Sequence, residues 1–156
     1  MLEPSHYEGR EQTYVKHFFL ENYLERVAFN IYSFQTDFVF VDGFSGPWKS
    51  RNEKYEDTSF KIAIDKLRTI RQGFLEARQK KVDFRCMFIE KQRKPFLELK
   101  SAVDGIEDIE IRLVHGEFEN HIADIKEFCR ASFSLVFVDP KVGRALQWTR
   151  FRHSLV

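Results

Sequence analysis

Only two cysteines, Cys86 and Cys129, occur in 156 residues. Two thiols cannot build a disulfide framework, nor a metal site on their own; the plain reading is two buried thiols in a reducing cytoplasm. No apolar run approaches the ~20 residues of a bilayer-crossing helix, so no membrane partner is expected. Met1 to Gln12 is polar and charged, unlike a secretory leader. An excess of either charge is missing too: 25 Lys and Arg stand against 24 Asp and Glu. A net charge of +1 gives no global field to draw nucleic acid or an anionic surface. Glycine (7) and proline (4) are sparse, so the places where they gather carry information. What the chain has in quantity is phenylalanine, 17 residues, ample core material for one domain.

Glycine and proline gather behind Phe38-Val39-Phe40-Val41-Asp42, in the turn Gly43-Phe44-Ser45-Gly46-Pro47. The apolar run reads as a strand buried on both faces, as in a parallel sheet covered by helices. Ligands of open parallel sheets bind beyond the carboxyl ends of the strands, where this turn lies. Gly43 and Gly46 permit close backbone approach to a ligand.

Around this strand, elements alternate. Val15, Phe18, Phe19, Tyr23, Val27 and Ile31 predict a helix over 12–31, with those residues on its packed face. A polar loop follows the Gly43 turn, and Asp57, Thr58 or Ser59 is placed to cap a helix carrying Phe60, Ile64, Leu67 and Ile70. A second strand, 84–89, ends at Glu90; Pro95 suits the first turn of the helix behind it. The third strand, 109–114, alternates apolar and charged residues, as a sheet-edge strand does, and runs into His115-Gly116-Glu117-Phe118. A helix over 120–129 leads to a fourth strand, 134–138, that ends at Asp139-Pro140. The fold class is therefore α/β: a doubly wound, mostly parallel sheet of about four strands with flanking helices.

In a parallel sheet Asp42, Glu90, Glu117 and Asp139 converge on one rim. A strand-end carboxylate can accept both hydroxyls of a ribose, and another can accept an adenine amino group. Glu90 has the position for the diol and Glu117 for the adenine side. The turn lacks the third glycine of G-x-G-x-x-G and the Gly-Lys-Ser/Thr of a phosphate loop. An acid opening the turn disfavours phosphate and favours a cationic amino-acid end. That charge logic selects S-adenosylmethionine over NAD or ATP. Taken singly, each acid has a structural alternative as a solvated loop residue. His115 reads as a rim histidine, Phe44 and Trp48 as pocket walls or core filling. The Lys80-Lys81 and Lys91-Gln92-Arg93-Lys94 clusters read as solvated surface.

Several blocks taken together resemble the three-Cys-motif partner (TcmP) family. They are Thr13, Lys16-His17, Leu20 and Tyr23-Leu24, then Val41 to Trp48, Asp57 to Phe60, Phe88-Ile89-Glu90-Lys91, His115 to Phe118 and Phe137 to Pro140. The resemblance spans about residues 13–140. It implies a class I methyltransferase-like, Rossmann-like fold binding S-adenosylmethionine. Asp42, Gly43, Phe44 and Gly46 would line the methionine end, Glu90 the ribose and Glu117 the adenine side. Asp139 and Pro140 would be the catalytic pair that orients a target amine. The implied acceptor is nucleic acid, at adenine, and the implied partner a bacterial or archaeal protein with three cysteines; Cys86 and Cys129 inherit no role.

After Pro140 the pattern departs from the family. Residues 141–156 carry four Lys or Arg and no acid. The expectation is a methyltransferase-like domain over 1–140 and a divergent basic tail over 141–156, as in a C-terminally truncated chain. Four strands stand where such folds have about seven, so an alternative reading is an inactive interaction module that pairs through its open sheet edge.

Overall fold

A computed structural model describes residues 11–46, 55 and 57–138 of the chain. Helix α1 (Glu11–Tyr32) precedes β1 (Asp37–Asp42), α2 (Ser59–Arg78), β2 (Asp83–Glu90), α3 (Arg93–Val103) and β3 (Glu110–His115). A 3-10 turn (Phe118–His121), α4 (Ile122–Phe128) and β4 (Phe133–Phe137) complete the order. The four strands form one all-parallel sheet in the order β3-β2-β1-β4. The fold is thus α/β, a Rossmann-like half.

The alternation of side chains across β1 explains its continuous apolar run. Phe38 and Phe40 enter the larger core with Leu24, Phe60, Leu67 and Phe88. Val39 and Val41 enter the smaller core with Met87, Ile89, Ile125 and Phe128. Both faces of the strand are covered, so neither can carry polar residues. Leu99 and Val103 of α3 join the larger core, which places α1, α2 and α3 on one face and α4 on the other. β3 sits at one end of the sheet, as its apolar–charged alternation predicts.

The sheet order fixes where the connections part. The chain steps from β1 outward to β2 and β3, then returns to lay β4 on the other flank of β1. The carboxyl end of β1 is therefore the topological switch point, the place where open α/β sheets take ligands.

The packed face of α1 differs from the one expected from its aromatics. The buried stripe is His17, Leu20, Leu24, Ala28 and Ile31, whereas Phe18, Phe19 and Tyr23 are exposed and Val27 is half-buried. The spacing of three and four residues in the buried set turns Leu24 and Ala28 onto α2 and the sheet. The displaced aromatics pack laterally: Phe19 stacks on Tyr23 and approaches Phe137 of β4. Helix α2 stops at Gln79, whose left-handed backbone (φ 49°) returns its N–H to the Leu75 carbonyl, a common helix ending. Arg68 and Arg71 of α2 hold Asp108, fastening the loop before β3 to the helix. Among the described residues no helix is long and apolar enough to cross a membrane.

Candidate functional site

Parallel pairing carries the ends of β1 and β2 to the same rim. Asp42 is level with Phe88, and Glu90 with His115. Asp42 is fully buried and Glu90 is only 3% exposed. A carboxylate out of water needs donors in place of its hydration, or the cost of burial runs to several kcal/mol. The donors present show how the site is built.

Asp42 divides its two oxygens. Oδ1 accepts the Phe44 N–H at 3.0 Å, closing a tight turn on itself, and Oδ2 accepts the Ser59 hydroxyl at 2.5 Å. Ser59 opens α2 and is itself buried, so the strand-end acid is tied to the first residue of the next helix. The Ser45 hydroxyl donates to the Asp42 carbonyl at 2.8 Å. The turn also runs on as an extension of the sheet. Gly43 N–H donates to Phe137 O on one side, and Ser45 N–H to Ile89 O on the other, each at 3.0 Å.

Glu90 is clamped by two backbone amides. Oε2 accepts the Gly46 N–H at 2.9 Å and Oε1 accepts the Gln92 N–H at 2.7 Å. Gly46 closes the β1 turn and Gln92 precedes α3, so this carboxylate joins the loops that follow β1 and β2. The β2–β3 ladder also extends one step, with Gly116 N–H donating to Glu90 O at 3.1 Å. Glu117 follows Gly116 on the same rim and is exposed.

The space over the turn is taken by an aromatic ring. A Cβ on Gly43 would lie 2.6 Å from Cδ2 of Phe118, so Gly43 makes room for that ring. Phe118 also stacks with half-buried Phe44, with ring centres 6.4 Å apart and planes 22° from parallel. It packs besides against the smaller core, so it is held from both sides. Gly116 has the same relation to His121, whose ring lies where a Cβ would be; Asp124 Oδ2 lies 2.8 Å from His121 Nδ1.

The expected residues thus fall into three groups. Asp42, Gly43, Phe44, Gly46 and Glu90 form one contiguous unit at the switch point. Glu117 shares the rim but projects into solvent. Asp139 and Pro140, with Trp48, lie outside the described residues. His115 is exposed and rests against Phe96, with ring centres 4.9 Å apart, in keeping with a rim histidine. Cys86 is buried, but Cys129 is only half-buried; burial raises both thiols above their usual range. Lys91, Arg93 and Lys94 are exposed. The last two border an open groove of about 510 Å³ along α3 with Tyr55 and Leu97, separate from the buried carboxylates.

Two contributors escape a reading of the chain alone. Ser59 reads as a helix cap, yet its hydroxyl serves Asp42; the signal is a serine at a helix start behind an acid-ended strand. Phe118 reads as one more aromatic in a Phe-rich chain, and only the glycine at position 43 hints that a ring must fit there. No family model, no curated protein and no solved structure matches the chain.

Proposed function

We propose that this chain is a three-Cys-motif partner-like, methyltransferase-type domain that binds S-adenosylmethionine, with an adenine amine of nucleic acid as methyl acceptor. The observation that carries the reading is the buried Glu90 carboxylate one hydrogen bond from Gly46, at the switch point where α/β sheets take ligands. Its two oxygens already accept two N–H groups on separate loops. That donor-accepting geometry suits a vicinal diol, which offers two O–H groups on one edge. Asp42 adds a second buried negative charge nearby, hostile to a phosphate and compatible with an ammonium or sulfonium. The residues fit the cofactor provided that Gly46 releases its hold.

The bound cofactor would supply a methyl group on a positively charged sulfur. The chain's own part is to orient and align. Glu90 fixes the ribose, and Asp42, held rigid by Ser59 and Phe44, sets the position of the turn that meets the methionine end. Asp139 accepts from the target amine so that its lone pair faces the methyl, a step that depends on placement within about 3 Å.

Calorimetry and thermal unfolding with S-adenosylhomocysteine test the reading. A ligand at 100 times its Kd stabilises the fold by about 2.7 kcal/mol, a rise of several degrees in Tm. Glu90→Ala should abolish most of that rise. No rise in wild-type protein at millimolar ligand would remove the cofactor from the account.

A further inference from the structure

We infer that the end of the sheet opposite the carboxylate rim carries a second binding surface, for a single strand of nucleic acid. Its rings are Phe29 and Phe34, and its cations Arg78, Lys80 and Lys81. It stands apart from the adenosyl reading above. Helix α1 delivers the chain to the start of β1 here, and α2 to the start of β2. The side chains are knitted into one corner. Phe29 lies on Phe74 with ring centres 5.0 Å apart, and the Arg78 guanidinium stands 5.2 Å from both centres. Phe74 meets the Tyr32 ring edge-on at 5.6 Å, and the Tyr32 carbonyl accepts from the Lys80 ammonium. Phe34 comes two residues after Tyr32, in the turn where its N–H donates to the Ile31 carbonyl.

Two properties meet at this corner. The first is apolar area in water: Phe34 is 69% exposed and Phe29 47%, and exposed Leu75 lies one turn before Arg78 on the same side of α2. The second is positive charge without acids. Among the described residues, no ion pair engages Arg78, Lys80 or Lys81. Glu76 is taken by the Gln72 amide. Asp83 belongs to the opposite face, because Phe84 enters the larger core while Met87, on the side of Asp83, enters the smaller. The helix dipole accounts for Lys80 on the last carbonyl of α1, but not for two rings left in water beside it. Cations call for an anion, and phosphates recur along a nucleic-acid strand. The rings call for a flat apolar partner, which an unpaired base supplies and a stacked duplex does not. An anionic lipid surface fits less well: Arg78 lies over Phe29, level with the ring, whereas a ring that enters lipid projects beyond its cations.

Fluorescence anisotropy with a labelled, mixed-sequence single strand of about 12 nucleotides, in DNA and in RNA form, tests the surface. With three cations on phosphates, the logarithm of the affinity should fall by about 2 for each tenfold rise in salt. Lys81→Ala should reduce that slope by about 0.7. Phe34→Ala should weaken binding about 5- to 150-fold and leave Tm nearly unchanged, because the ring is already in water. No binding at low salt, or binding indifferent to both substitutions, overturns the inference. Cosedimentation with vesicles of phosphatidylcholine and phosphatidylserine is the second arm. Protein that sediments with them through Phe34 but ignores the oligonucleotide has a lipid-binding surface, which also overturns it. S-adenosylhomocysteine should bind Phe34→Ala as it binds wild type. A protein that takes the oligonucleotide through Phe34 and Lys81 but takes no S-adenosylhomocysteine keeps this surface and loses the cofactor.

Discussion

Gly43 is the position at which ligand approach and internal packing make different demands, and Gly43→Ala tells them apart. The new methyl carbon would stand 2.6 Å from Phe118 Cδ2 and 3.2 Å from both Cγ and Cε2. The nearest of these is well inside contact distance, so the ring must move. Phe118 has Phe44 on one side and the smaller core on the other, so that movement is resisted. Overpacking of this kind costs about 1–3 kcal/mol. Alanine also reduces the freedom of the unfolded chain, which returns roughly 0.5–1 kcal/mol because Gly43 lies outside the left-handed region. The net loss should be about 1–2 kcal/mol, a fall of roughly 0.5–1 M in the urea midpoint. Phe118→Ala alone, truncating a half-buried ring, should cost about 2 kcal/mol, less than the ~3–5 of a fully buried one. In the double variant the methyl occupies vacated space, so the total should stay near 2 kcal/mol instead of 3–4. The coupling of about 1–2 kcal/mol is within the range seen for residues in contact. Additive losses, or a Gly43→Ala protein as stable as wild type, would refute the packing argument and return Gly43 to a role in ligand approach alone.

Ser59→Ala removes the hydroxyl donor from a fully buried Asp42 oxygen, so urea unfolding should show a loss of about 1.5–3 kcal/mol; a loss under ~0.5 kcal/mol would mean that Asp42 finds another donor. At the opposite end of the sheet, the hydrogen bond from Arg68, with further support from Arg71, lowers Asp108 from 3.8 to about 2. The folded value is the depressed one, so this stabilisation is complete above pH ~4 and is lost as pH falls from there toward ~2. Because all three side chains are partly solvated, screening keeps the effect to at most ~1 kcal/mol. Asp108→Asn should flatten that segment of the stability–pH curve, and an unchanged slope would show the ion pairs to be inert.

How much of this was legible follows from which contacts are local. β1 could be read because a strand covered on both faces has no polar position to spare, and β3 because an edge strand alternates. Parallel strands put Asp42 and Glu90 on one rim as a matter of topology, so their approach was predictable from the alternation of elements alone. The buried stripe of α1 was not. Its aromatics dominate the pattern, yet Leu20, Leu24 and Ala28 face the core while Phe18 and Phe19 lie outside it, because the direction of a helix face is decided by the partner it meets. The donors to the two acids were equally hidden. Ser59 reaches Asp42 across 17 positions and Gly46 reaches Glu90 across 44; no local spacing encodes such pairs. Phe118 over Gly43 is a contact between two loops whose separation depends on the registers of three strands.

The burial of Glu90 dictates what its carboxylate needs. A carboxylate only 3% exposed needs donors, since a stranded buried charge would cost about 3–5 kcal/mol, a large share of a fold's stability. Gly46 and Gln92 are among the donors the protein supplies, and a ligand at this carboxylate would compete with them. Gln92 is part of the entry to α3, and Gly46 sits on the turn after β1. A ligand binding there would have to bring donors of its own and tolerate the charge of Asp42 close by. Phosphates fail on both counts, since they bring acceptors and negative charge. Hydroxyl pairs and ammonium groups would meet both requirements, so a ligand of this rim would be sought among groups of that kind.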